Sequence, residues 1–168
     1  QFVQPDKNSS TLNRVLDSNA SQIFGNLTSN GQIFLINPNG VVFGATASVD
    51  VGGLVATTHA LSNEDYMAGK TTFSRNGATG KIVNDGKITS NGGYIALLAP
   101  EVRNNGVIVA RAGTVALAAG DQIGLNFDPN GSLTQVLASP STVKALIDNR
   151  KIVAAPDGQV IVSAQAFN

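Results

Sequence analysis

The sequence predicts an all-β fold, a right-handed parallel β-helix: a single-stranded solenoid with extra-helical excursions. Three observations carry this reading. A repeat of about twenty residues runs through the second half of the chain, and such self-similarity marks stacked architectures. The apolar runs are short, rich in β-branched residues and closed by Asn and Gly, as strands between tight turns are. Within the runs, large apolar residues alternate with small ones, the pattern of a strand with one face toward a core.

The repeat is explicit in the residues. Asn84-Asp85-Gly86-Lys87-Ile88 matches Asn104-Asn105-Gly106-Val107-Ile108, twenty positions on. Gly93, Ile95, Ala96, Leu97 and Ala99 fall on Gly113, Val115, Ala116, Leu117 and Ala119 at the same offset. A third copy, forty-five positions further, places Asn149, Val153, Gly158, Val160, Val162 and Ala164 on Asn104, Ile108, Gly113, Val115, Leu117 and Ala119. Lys151 there replaces the turn glycine of the earlier copies. The period is too short for a helical hairpin, and the Leu/Asn consensus of leucine-rich repeats is missing. One such coil cannot bury its apolar face alone. Stacking coils ~4.8 Å apart closes the hydrogen bonds and aligns like side chains. Right-handed winding follows from the general crossover preference. Roughly five or six coils fit, giving a rod about 25–30 Å long.

The elements follow in order. Residues 1–5 read as a strand ending at Pro5. The chain thus opens mid-strand, so an N-terminal truncation or processed product is expected. Asp6–Thr11 is turn-like, and Leu12, Val15 and Leu16 have a spacing open to helix or strand. Asn19–Gly25 is a turn followed by the apolar pair Ile23-Phe24. In Gly31–Gly44 two strands, Ile33–Ile36 and Val41–Phe43, flank the tetrapeptide Asn37-Pro38-Asn39-Gly40. Pro38 presets φ for the first central position of a tight turn. Asn39 tolerates left-handed backbone, and Gly40 adopts it freely. Ala45–Val55 alternates as a strand. Ser62 reads as the cap of a short helix with Glu64 and Asp65 in its first turn. Thr71–Ser74 reads as a strand and Arg75–Gly80 as a turn.

Two excursions, near 60–75 and 121–148, interrupt the repeat. The second holds the turn Asp128-Pro129-Asn130-Gly131 and a stretch, Ser141–Ile147, that reads as a helix. The whole, residues 1–168, reads as one domain.

Composition narrows the chemistry. Eleven basic and eleven acidic residues balance, and no Lys/Arg cluster stands out, so neither nucleic acid nor an anionic membrane surface is an expected partner. With no cysteine there is no disulfide, thiolate metal site or Cys nucleophile. His59 is the only histidine, which leaves no zinc site of the usual kinds and points to a packing or surface role. Glu64 and Asp65 are adjacent and suit a helix start better than a catalytic pair. Asp121, Asp128 and Asp148 are scattered, and the coils offer too few charges for a polysaccharide-cleaving groove. No enzyme, cofactor or metal is expected. Asn37-Pro38-Asn39-Gly40 has a structural reading as a corner turn and a functional one as a recognition element, and the two overlap if the turn helps the first coils form.

Several runs together resemble a known family. They are Phe2-Val3-Gln4-Pro5, Leu12-Asn13-Arg14-Val15, Ile23-Phe24-Gly25, the run from Asn30 to Gly44, and the run from Val51 to Thr58. The likeness continues through Gly92–Pro100, Gly113–Gly120 and Asn149–Ser163. These are similar to the TPS domain of two-partner secretion exoproteins, the filamentous haemagglutinin-type adhesins, haemolysins and contact-dependent toxins of Gram-negative bacteria. The resemblance implies a β-helical secretion domain that passes through the periplasm to the cell surface or beyond. It implies recognition by an outer-membrane β-barrel transporter with periplasmic POTRA domains, and folding of the remaining β-helix outward from this seed. The family's Asn-Pro-Asn-Gly-Ile/Val motif, tied to secretion, falls on Asn37, Pro38, Asn39, Gly40 and Val41. Two departures stand out. The further N-terminal strands and cap of family members are not found here, nor is the second motif, Asn-Pro-Asn-Leu. Asn19-Ala20-Ser21 stands where many relatives have Asn-Pro-Ser. A monomer is expected. The alternative is an adhesin module binding host or matrix glycans.

Overall fold

The computed structural model describes residues 1–166; the last two positions of the expected 1–168 unit lie outside the described residues. Strands come in chain order as β1 (Ser10–Arg14), β2 (Ser21–Ile23), β3 (Asn26–Ile36), β4 (Val41–Phe43) and β5 (Ser48–Thr57). A short helix α1 (Asn63–Met67) and β6 (Thr72–Ser74) form the first excursion. The chain returns to the stack with β7 (Lys81–Asn84), β8 (Lys87–Asn91), β9 (Tyr94–Leu98), β10 (Glu101–Asn104), β11 (Val107–Arg111) and β12 (Thr114–Ala119). A second excursion carries β13 (Gln122–Phe127) and β14 (Leu133–Ala138), and β15 (Leu146–Asn149), β16 (Ile152–Ala154) and β17 (Gln159–Ala164) complete the last coil.

Every strand pair within the stack is parallel, and the coils build a parallel β-helix of three faces. One face stacks β2, β4, β7, β10 and β15. A second stacks the first halves of β3 and β5 with β8, β11 and β16. The third stacks β1, the second halves of β3 and β5, β9, β12 and β17. The registers reproduce the sequence offsets: Ile95 pairs with Val115, and Val115 with Val160. Ile33 and Leu54 extend that column. The interior is a contiguous cluster in which Val41, Phe43, Leu54, Ile82, Ile88, Ile95, Val102 and Ile108 are fully buried.

The third face departs from the half-buried pattern. β9 and β12 are buried along their whole length, on both sides. Their outward residues Ala96, Leu98, Ala116 and Ala118 join a second cluster with Phe34, Phe73, Ile123, Leu125 and Leu133. The cover is a three-stranded antiparallel sheet in the order β14-β13-β6, contributed by the two excursions. The small alanines let that sheet lie close on the coils, so the excursions are a second layer packed on one side of the helix.

Three local expectations change. Residues 1–5 form no strand; Phe2 makes a single bridge to Ser29. The Gln4 backbone N–H is instead taken by Asn30 Oδ1 at 2.8 Å, and Pro5 has no N–H to offer a ladder. The segment of Leu12 resolves as the strand β1, paired with β3. Ser141–Ile147 is not helical: Ser141 bridges Ala166, and β15 begins at Leu146, whose N–H reaches Pro100 O at 3.0 Å. Pairing with β10 overrides local helix propensity there. The predicted helix at Ser62 is present, with the Ser62 side chain accepting from Asp65 N–H.

Candidate functional site

Asn37–Gly40 closes as a hydrogen-bonded turn between β3 and β4, Gly40 N–H donating to Asn37 O at 3.0 Å. Gly40 alone takes the left-handed backbone, at φ 113°; Asn39 does not. Asn37 is the hub. It is fully buried, and its Oδ1 accepts from Asn39 N–H at 3.0 Å. Its Nδ2 donates to Asn19 O and to Ser21 Oγ, both at 2.9 Å. Asn39 Nδ2 adds a bond to Asp17 O at 2.9 Å, and Ser21 N–H donates to Gly40 O at 3.0 Å. Asn19-Ala20-Ser21 therefore serves the turn through a carbonyl and a hydroxyl, neither of which requires proline at position 20.

The next coil presses from the opposite side. A Cβ at Gly80 would lie 2.5 Å from Gly40 N, so only glycine permits this approach. A Cβ at Gly40 would lie 2.8 Å from Lys81 O. The turn is a middle layer, fixed from both neighbouring coils. Val41 anchors it from within, fully buried in the interior cluster. Of the five motif residues only Pro38 and Asn39 are exposed.

The charged residues singled out in the sequence are not brought together. Asp128 caps its own turn, accepting from Asn130 and Ser132 N–H at 2.9 Å. Asp148 pairs with Arg103 and Arg150. Arg103 also meets Glu101, whose carboxyl is lowered by that contact. Glu64 and Asp65 sit in the first turn of α1. No group of three or more His, Asp or Glu able to hold a metal occurs among the described residues.

Asp121 belongs to a clasp that the sequence does not reveal. Arg75 Nε meets its Oδ1 at 2.8 Å, Thr142 Oγ1 donates to its Oδ2 at 2.8 Å, and Arg75 Nη2 reaches Thr142 Oγ1 at 2.9 Å. Burial raises the Asp121 carboxyl, but the bonds from Arg75 and Thr142 outweigh it and leave it below its ordinary value. Beside the clasp lies His59, fully buried, its Nε2 2.7 Å from Gly120 O and its backbone N–H on Thr57 Oγ1. Burial is the main cause that lowers its pKa, so the ring is held neutral. With Nε2 donating to a carbonyl, His59 pins the start of the first excursion to the start of the second. Of the packing and surface roles the sequence left open, burial selects packing; its partner, sixty-one positions away, was not legible.

Comparison with known proteins agrees with this architecture. The pattern of the TPS secretion domain matches residues 1–166. A heme/hemopexin-binding protein of Haemophilus influenzae is 34% identical over 176 residues, covering all of this chain and 19% of that protein. A second Haemophilus influenzae protein of the same name is 38% identical over 86 residues, 51% of this chain and 9% of that protein. The crystal structure of the HMW1 secretion domain from Haemophilus influenzae superposes with a TM-score of 0.82 at 36% identity, covering 88% of this chain and 40% of that one. The chain thus spans less than a fifth of the length of the curated relatives it matches.

Proposed function

The chain belongs to the TPS secretion domain family, and from that footing we propose that Asn37–Val41 is the element its cognate outer-membrane transporter reads. The domain travels through the periplasm of a Gram-negative bacterium to the cell surface or the extracellular space. The transporter's periplasmic POTRA domains bind the chain before it folds, and the coils then stack in sequence outside the cell.

One observation supports recognition of unfolded chain. Asn37, Gly40 and Val41 are buried in the folded domain, and the polar atoms of Asn37 are all spent: Nδ2 on Asn19 and Ser21 and the backbone N–H on Thr57 of the neighbouring coils, Oδ1 and the carbonyl on Asn39 and Gly40 of its own turn. A receptor meeting the finished fold would find only Pro38 and Asn39. A receptor meeting extended chain finds the whole motif, with open backbone N–H and C=O groups on either side. Strand addition is the contact mode such a segment allows. The same residues then lock the first coils once the chain is free, so signal and folding seed share one set of atoms.

Export with the cognate transporter tests this. Asn39→Pro removes the N–H that Asn37 Oδ1 accepts and disfavours the turn geometry after Pro38. It should lower the amount exported at unchanged expression. Normal export would refute the reading, and glycan-array binding by the isolated domain beside normal export would favour the adhesin alternative.

A further inference from the structure

An Asn followed by Gly is the dipeptide whose backbone most readily attacks its own side chain, because Gly has no Cβ to hinder the approach. Six such pairs occur here: Asn30-Gly31, Asn39-Gly40, Asn76-Gly77, Asn91-Gly92, Asn105-Gly106 and Asn130-Gly131. The attack needs a free Gly N–H and a backbone able to rotate at the Asn. In five pairs the Gly N–H is already taken. Gly31 N–H donates to Ser29 Oγ at 3.1 Å, and the Asn30 amide holds both the N–H and the carbonyl of Gln4. Gly40 N–H donates to Asn37 O, and Asn39 Nδ2 to Asp17 O. Gly92 N–H donates to Arg111 O in the next coil at 2.7 Å. Gly106 N–H donates to Asn104 Oδ1 at 3.2 Å, while Asn105 Nδ2 reaches Asp85 Oδ1 at 2.8 Å. Gly131 N–H donates to Asp128 O at 2.9 Å, and Asp128 Oδ1 also accepts from Asn130 N–H.

Asn76-Gly77 differs from the rest. It is the exposed tip of the turn after β6, with left-handed backbone at both residues, φ 47° and 78°. Among the described residues, nothing accepts from the Gly77 N–H and nothing bonds the Asn76 amide. The turn is closed by Ala78 N–H on Arg75 O at 2.9 Å and Arg75 Nη1 on Ala78 O at 3.1 Å, neither of which engages the reacting atoms. A Cβ at Gly77 would meet nothing within 4 Å, so the tip has room to rotate.

We propose that Asn76 is the site at which the folded domain modifies itself. The Gly77 nitrogen attacks Asn76 Cγ and gives up its proton. The side-chain nitrogen leaves with that proton as ammonia, and a succinimide closes. Water then opens the ring at either carbonyl, leaving Asp or isoaspartate; water is the sole co-reactant. Either product puts a carboxylate on the residue after Arg75, a rival to Asp121 for that guanidinium. It also brings negative charge to a depression that this turn lines together with the exposed motif residues Pro38 and Asn39. Isoaspartate further routes the backbone through the side-chain methylene and lengthens the turn.

The test incubates the folded domain in mildly alkaline buffer beside the same chain in denaturant. Both are sampled by peptide mapping with mass spectrometry, and isoaspartate is labelled with an isoaspartyl methyltransferase. In the fold, Asn76 should convert about tenfold faster than any of the other five, roughly what one hydrogen bond on the attacking nitrogen is worth in a barrier. In denaturant that lead should vanish. Asn76→Gln, whose longer arm disfavours ring closure, should abolish the early mass gain of the folded chain. Another Asn leading in the fold, or Asn76 converting no faster than the five held pairs, would overturn the proposal. So would an equal lead of Asn76 in denaturant, because sequence and not structure would then select it.

Discussion

The interior of the coils and the core beneath the excursion sheet are both closely packed, yet they are specified differently. Phe43 apart, the interior is filled by aliphatic side chains, and its later coils repeat in columns: Ile95 over Val115, Ile82 over Val102, Ile88 over Ile108. The outer core has no repeat. It joins Phe34 and Phe73, whose ring centroids lie 6.3 Å apart, and sets Tyr94 edge-on to Phe127 at 5.0 Å. Its strands are antiparallel, and its polar fastenings are individual ones, among them the Arg75–Asp121–Thr142 clasp with buried His59 beside it and the bond from Thr114 Oγ1 to Leu133 O at 2.7 Å. A periodic core holds by many equivalent contacts, while the aperiodic one depends on a few particular residues.

The largest effect should come from the interior. Leu97→Ala removes a fully buried side chain with coils on both sides, and should cost ~2–5 kcal/mol in chemical denaturation, with the whole domain unfolding together. Arg75→Ala should cost less, about 1–3 kcal/mol, by leaving Asp121 without its charged partner and with only the Thr142 side of the clasp. Its signature is local: hydrogen exchange should quicken across β13 and β14 while β8 and β11 stay protected.

Acid should expose the same contrast. His59 is held neutral in the fold, whereas the unfolded ring takes a proton near its ordinary 6.5. Its contribution is therefore complete above pH 6.5 and declines as pH falls below that value. Asp121 adds a second loss as pH falls past its ordinary 3.8. The excursion sheet should loosen before the coils, and His59→Gln should flatten the first decline in a pH series of unfolding curves.

A smaller effect has the opposite sign. Ala112 holds φ 50° where the neighbouring coil has Gly92 at φ 78°. Ala112→Gly should stabilise the domain by up to ~1 kcal/mol, read as a higher unfolding midpoint. Leu137, on the exposed edge strand β14, is the control: Leu137→Ser should stay within about 0.5 kcal/mol of the parent.

The two regions were also unequally legible in the sequence. Coil stacking could be read because a parallel in-register stack turns spatial neighbours into a fixed sequence offset, and the offsets of twenty and forty-five are the observed registers. The excursion sheet left no such trace. β13 pairs with β6 across about fifty residues, and nothing in Thr71–Ser74 announces a partner. The outward alanines of β9 and β12 read as the plain side of half-buried strands, when they are the floor of a second core. Ser141–Ile147 has helical propensity that parallel pairing with β10 overrides. At the candidate site, Pro38 and Gly40 announced the turn by their backbone preferences. The inward Asn37 and its bonds to Asn19 and Ser21 could be seen only once the coils were stacked.

The most direct test of the account is binding of the cognate transporter's isolated periplasmic region to two forms of the same motif: a peptide spanning Gly31–Gly44, and the folded domain. Titration calorimetry should show the peptide binding, and binding more tightly than the folded domain, because the fold buries Asn37, Gly40 and Val41. A folded domain that binds as well as the peptide, or better, would contradict it.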